Sequence, residues 1–229
     1  MRFLRWLFGG TQSQSTGLTD FGPFAAVWRD GPGPLPLLHM RSDQVQSVLS
    51  RVSDALALAD DSPSYVQLML QDPNWRLHLV AAVATLLSSD RSNYAPALWA
   101  AFDAGSWVAP QLACTLYFVD PEFAPAARRR VVALCPVAAP TGLSAAERHS
   151  ATGPAGLGQR SAKNLASLLG VLGRLPAESS WVASELDKPE VQDFLKTDID
   201  SSAEIADSWF DAVRSSFAEI GHDLSRRAP

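Results

Sequence analysis

The sequence predicts an all-α protein, on three observations. Apolar residues recur at spacings of three and four through several segments, and nothing alternates convincingly with period two. Asp-Pro pairs, serines, asparagines and glycines punctuate those segments at short intervals, as helix starts and stops do. In Asp72–Ser88, the clearest segment, Leu79, Val80, Val83, Leu86 and Leu87 make one broad apolar stripe. Ala81, Ala82 and Ala84 are small enough to admit a neighbouring helix. Asp72 is placed to accept a hydrogen bond from a free N–H of the first turn, and Pro73 suits the first helical position.

Taken in order, Met1–Gly10 holds Phe3, Leu4, Trp6, Leu7 and Phe8 interrupted by Arg2 and Arg5, with Gly9-Gly10 as a stop. The run is too short and too charged for a secretory signal, and reads as a short amphipathic helix. Docking on the body of the protein is the preferred reading; weak peripheral membrane contact through residues 1–8 is the other. Thr11–Gly17 is a polar connector, Phe21–Trp28 is a short helix or an irregular apolar piece, and Gly31–Pro36 is a loop because its prolines lack donors. Residues 1–41 therefore form an N-terminal segment, and residues 42–229 a single all-α domain.

Within that domain Ser42 is the expected N-cap of Asp43–Ala59, and Ser62-Pro63 opens a helix reaching Leu70. Asn93 is expected to cap Tyr94–Ala104, which Gly105 ends in the left-handed conformation. Ser106 is expected to cap Trp107–Val119, with Pro110 harmless in its first turn. Asp120-Pro121 repeats the Asp72-Pro73 signal and launches Glu122–Leu134, closed by Pro136. Residues 137–159 carry Pro140, Gly142, Gly153, Pro154, Gly156 and Gly158, and read as a flexible loop. A helix resumes over Ser161–Leu175, weakened by Gly170 and Gly173, followed by short helices at Ser180–Leu186 and Pro189–Leu195. In the last helix Ser201-x-x-Glu204 fits a capping box, Ile205, Trp209, Val213 and Phe217 step by four, and Gly221 ends it.

Asp72-Pro-Asn-Trp75-Arg76, followed by Val80-Ala81-Ala82 and Leu86, resembles the second helix of a HEAT repeat. A related pattern at Trp107 lies 32 residues on and lacks the arginine; Ser161–Leu172 keeps only the apolar stripe. The resemblance covers roughly Ser62–Leu134. It implies antiparallel helical hairpins stacked into a short superhelix, irregular at both ends.

The 229 residues are long enough for a proper core, with 47% hydrophobic and 19% charged residues. A formal charge of −5 argues against nucleic-acid binding, which needs a basic face. Cys114 and Cys135 read as small buried thiols in a reducing cytoplasm. No run approaches the ~18–20 apolar residues of a membrane span.

Catalytic signatures are missing. There is no Gly-x-Ser-x-Gly, and His39, His78, His149 and His222 have no metal-site spacing. Asp198-Ile-Asp200 begins like a calcium loop, but Ala203 and Trp209 stand where glycine and glutamate are needed. No catalytic residue, metal or cofactor is expected, and the arginines at 128–130 suit a helix C-terminus.

Two features remain. Glu185, Asp187, Glu190, Asp193, Asp198, Asp200, Glu204, Asp207 and Asp211 face only Lys188 and Lys196 within their own span. They read either as a solvated face or as a negative patch that steers a basic partner. Of the seven tryptophans, Trp75 and Trp107 occupy matching places and read as helix packing, while Trp99, Trp181 and Trp209 are either core, the preferred reading for any one of them, or exposed anchors of an interface. The expected partner surface is Asp198, Asp200, Glu204, Asp207, Trp209 and Asp211. A small, acidic, all-α chain of this kind resembles bacterial toxin-immunity proteins, several of them HEAT-like. That implies a cytoplasmic, non-catalytic protein that neutralises a cognate basic toxin or effector by direct binding. A scaffold or adaptor in a protein assembly is the alternative, and an enzyme with an unrecognised site the third reading.

Overall fold

The computed structural model of the chain describes residues 18–29, 31–41, 43–135 and 155–224. Among the described residues there are eleven α-helices and no strand. A 3-10 segment over Leu18–Ala25 leads into α1 (Ala26–Arg29), and a 3-10 turn over Leu35–Leu38 precedes α2 (Val45–Leu58). Then come α3 (Ser62–Gln71), α4 (Trp75–Leu87), α5 (Ala95–Asp103), α6 (Ala109–Val119) and α7 (Phe123–Leu134). The remainder is α8 (Ala155–Gly173), α9 (Ser179–Leu186), α10 (Pro189–Leu195) and α11 (Ser202–Glu219).

Along the chain α1 packs on α2, α3 on α4, α5 on α6, α6 on α7, α7 on α8, α8 on α9 and α9 on α10. In addition α2 packs on α4, α4 on α6 and α6 on α8, while α3 packs on α5. The opposite side of this row is covered by α11, against α6 and α8, and by the turn at Leu35–Leu38, against α4. Leu77–Leu86 of α4 and Ala109–Leu116 of α6 are consequently buried without a break. Such helices are apolar all round because they have no water-facing side.

The C-terminal helix is sewn to the start of the chain. The Trp209 indole N–H donates to the Leu37 carbonyl (2.9 Å), and Arg41 donates to the Ser208 hydroxyl (2.6 Å). His222 Nε2 donates to the Leu86 carbonyl (2.9 Å), and Leu224 is buried. Phe24, Val27 and Leu37 are fully buried in the same core as Val213 and Phe217, so residues on both sides of position 41 share one interior. Contacts of this sequence separation go beyond the neighbour-only packing of an open solenoid.

The helix starts differ from expectation in a consistent way. The N-cap of α4 is Asn74, whose side chain accepts from Arg76 N (3.1 Å), while Asp72 accepts from Asn74 N (2.8 Å). Asp120 likewise accepts from Glu122 N (2.9 Å), and α7 begins one residue later. Each Asp-Pro pair therefore shapes the turn before the helix by bonding two residues ahead. Helix α3 opens at Ser62 as expected, with Asp61 as its cap, and Asn93 lies in a 3-10 turn over Arg91–Tyr94 without capping α5. Ser106 accepts from Val108 N (3.3 Å), just ahead of α6, and Gly105 has the expected left-handed φ of 79°. The helix expected from Ser161 begins at Ala155, which removes 155–159 from the expected loop; packing of its buried C-terminal part propagates the helix backwards. The amphipathic segment at 1–10, Ser42, Pro136 and the loop at 137–154 lie outside the described residues.

Gly170 has a packing role. A Cβ there would lie 2.9 Å from the Ala203 carbonyl oxygen and 3.0 Å from its Cα, so glycine lets α8 approach the first turn of α11. These two helices share the most extensive helix–helix contact among the described residues.

Candidate functional site

Two clusters of polar side chains compete for a functional reading. The first joins the turns before α4 and α6. His78 Nδ1 lies 2.7 Å from the Ser106 hydroxyl, and Nε2 lies 2.6 Å from the Asp72 carbonyl. A carbonyl only accepts, so Nε2 carries the proton and Nδ1 accepts from Ser106. Burial lowers the histidine pKa, against the opposing Asp72 hydrogen bond and charge, and the ring is neutral. A serine paired to a neutral histidine has the outline of a nucleophile and base. Here, however, both side chains are buried, the third partner is a backbone carbonyl, and the serine oxygen also accepts from Val108 N. The pair is a strut between two turns.

Trp75 and Trp107 close the same joint, their rings 4.7 Å apart, which matches the expected packing of the two tryptophans. Contacts of this kind add about 0.5–1.5 kcal/mol beyond buried area. Arg76 sits over Trp75 (4.5 Å), and the Lys163 amine lies over Trp107 (5.1 Å) and donates to its carbonyl (3.2 Å).

The second cluster is an open cleft of about 250 Å³ at the start of α11. Leu38 and His39 form one wall, and Asp200, Ser201, Glu204, Ile205 and Ser208 form the other, with Trp209 behind them. Its frame is local. Asp198 accepts from Ser202 N (2.7 Å) and from the Ser202 hydroxyl (2.9 Å), which starts the helix. Ser201 is left-handed (φ 53°) and makes no side-chain cap, so the expected Ser201–Glu204 capping box is replaced by Asp198. Met40, beside His39, also has a positive φ of 52°. Non-glycine residues held in this region mark places where the surrounding fold over-determines the backbone.

The expected partner-binding residues end in different situations. Glu204 is exposed at the rim of the cleft and has no ion pair among the described residues. Asp200 lines the cleft but is bound to Lys163 (2.7 Å), a lysine only 8% exposed. Asp198 is committed to the turn. Asp207 and Asp211 both clasp Arg174, at 2.7 Å for Asp207. Burial opposes the charge of Arg174, and the two carboxylates more than offset it, raising the arginine pKa. Trp209 is only 1% exposed, so it is a core residue and does not belong to the expected partner surface. Its place in the Ile205–Trp209–Val213–Phe217 stripe explains this, because that stripe is the one α11 buries.

Two further carboxylates of the acidic region are also paired. Glu185 pairs with Lys188 and Asp193 with Lys196. The other two candidate anchors are also covered: Trp99 is buried, donates to Asp120 (2.7 Å) and lies under Arg130 (3.8 Å), and Trp181 lies under Arg128 (4.8 Å). Sequence reasoning missed Lys163 and Arg174. Lys163 carried a usable signal, a lone charge inside the apolar stripe of α8; Arg174 carried none.

Cys114 is buried and Cys135 half-buried, both as free thiols, and burial raises both pKa values. Neither has the depressed pKa of a reactive thiol. No group of histidine, cysteine or carboxylate residues able to hold a metal ion occurs among the described residues. No helix among them is long and apolar enough to cross a membrane. Compared with known proteins, the chain matches no family model, no curated protein and no solved structure.

Proposed function

We propose that the protein is a non-catalytic protein-binding module, a short stack of HEAT-like hairpins that acts in the cytoplasm as an immunity protein against a basic toxin. The observation that carries this reading is the cleft at the start of α11, with Glu204 exposed and unpaired among the described residues. At about 250 Å³ the cleft is below the range of small-molecule pockets and suits a single long side chain. A partner lysine or arginine entering it meets Glu204 first and then the outer side of Asp200. Its aliphatic stem lies along Leu38 and Ile205, as amphipathic side chains do. Exposed Ile199, 77% accessible beside Asp200, supplies apolar area next to the charged contact.

Affinity capture from native cells with the wild-type chain and with Glu204→Lys tests the reading. One basic protein retained in equal amount by the wild type, and bound by the variant with an association rate lower by roughly tenfold at low salt, is the expected result. Equal retention by both chains removes the cleft from the interface. Several subunits retained together replace the immunity reading with the scaffold.

A further inference from the structure

The cleft at the start of α11 carries a titratable group on its second wall. His39 lines it across from Asp200 and Glu204, is exposed, and makes no side-chain hydrogen bond or ion pair among the described residues. The turn that carries His39 is pinned on both sides. Leu37 accepts from the Trp209 indole (2.9 Å), Leu38 accepts from the Gln111 amide (3.0 Å), and Arg41 donates to the Ser208 hydroxyl (2.6 Å). Met40 N–H donates back to the Pro36 carbonyl (3.1 Å), in a turn closed by its positive φ of 52°. Ser208 lies one helical turn after Glu204, so these bonds set the His39 wall alongside the Glu204 turn of α11. The charges on the cleft are few. Asp200 is offset by Lys163 (2.7 Å) from α8, which leaves Glu204 as its unpaired carboxylate among the described residues. Arg41 touches the cleft only through Ser208, and an arginine keeps its charge at every working pH. Helices α2 and α4, which also pack on the Leu35–Leu38 turn, contribute no residue to the cleft. Histidine is the side chain whose charge ordinarily changes between pH 5 and 8. In a cleft of about 250 Å³, a protonated His39 supplies the very charge that an incoming cation would bring.

We propose that His39 makes this cleft pH-responsive. Neutral, it leaves Glu204 to a partner's lysine or arginine; protonated, it offsets the charge of Glu204 and turns that cation away. This role rests on the cleft accepting a cation, as proposed above, and adds its regulation: the contact forms near neutrality and weakens on acidification.

The test titrates the full 15N-labelled chain with n-butylguanidinium and n-butylammonium chloride, which stand in for arginine and lysine side chains. The amide signals of Ser201–Ser208 are followed at about pH 8 and about pH 5.5, with sodium chloride at matched ionic strength as the control. Saturable shifts are expected at the higher pH, with an affinity roughly three- to tenfold above that at the lower. His39→Gln should bind equally at both, and His39→Lys, a fixed cation at the same place, should bind weakly at both. His78, whose burial also links it to pH, is unchanged in all three chains, so its effect cancels. A wild-type affinity that is the same at both pH values, or a fall as large in His39→Gln as in the wild type, overturns the proposal and leaves the cation-accepting cleft standing. No saturable shift in the wild type at the higher pH overturns the cleft and its regulation together.

Discussion

Helices α4 and α6 are enclosed on every side, whereas α11 buries one stripe and exposes an acidic opposite face. In the first pair residue type and role coincide: leucines, valines and alanines at helical spacing pack, and the polar His78 of α4 is bonded to Ser106, just ahead of α6. In α11 they diverge. Asp207 and Asp211 have the spacing of a like-charged patch, yet both are taken up by one arginine from α8. Apolar burial is additive and indifferent to which partner supplies the surface, so pattern alone reports it. A carboxylate's role depends on the one cation it meets, and here that cation lies 33 and 37 residues away.

The strongest way to break this comparison is to remove the apolar side of α11. Trp209→Ala should cost on the order of 3–5 kcal/mol, read as a lower urea midpoint, because it empties the joint between α11 and the Leu35–Leu38 turn. A loss below about 1 kcal/mol would mean that α11 is not part of the cooperative core.

Two glycines on α8 sharpen it next. Gly170→Ala should destabilise by roughly 1–3 kcal/mol, since the new methyl meets the Ala203 backbone. Gly173→Ala has its nearest neighbour, Val182 Cγ1, at 4.0 Å and should gain up to about 1 kcal/mol from helix propensity. Thermal midpoints moving in the same direction would show that propensity, not the α8–α11 approach, governs that helix.

The strut between the α4 and α6 turns gives a pH signature. With the His78 pKa lowered by burial, the unfolded chain takes up this proton before the folded one as pH falls. Its contribution to stability is therefore complete above the unfolded value of 6.5 and is lost progressively through the window below it. Denaturation series between pH 7.5 and 5, run beside His78→Gln, should show a slope in the wild type that the variant lacks; equal slopes would mean that the ring titrates as freely as in the unfolded chain.

The smallest stability effect is expected at the acidic face. Arg174→Ala breaks two exposed ion pairs and should cost about 0–1 kcal/mol. It also releases Asp207 and Asp211, so a basic partner should associate faster and with steeper salt dependence. An unchanged rate would place that partner away from this face.

The all-α class, most helix spans and the packing of Trp75 with Trp107 were legible in the residues, because 3.6-residue periodicity and the place of a residue near a helix start are local properties. Cap assignments were legible only to within two residues: Asp72, Asn74, Asp120 and Ser106 all favour helix starts, and turn geometry chose among them. The folding of α11 over the central row and the close approach at Gly170 were decided by tertiary structure. So were the pairing of Asp200 with Lys163 and the absorption of Asp207 and Asp211 by Arg174. Each of these depends on which distant surface comes within a few ångströms, and no spacing within one helix encodes that distance.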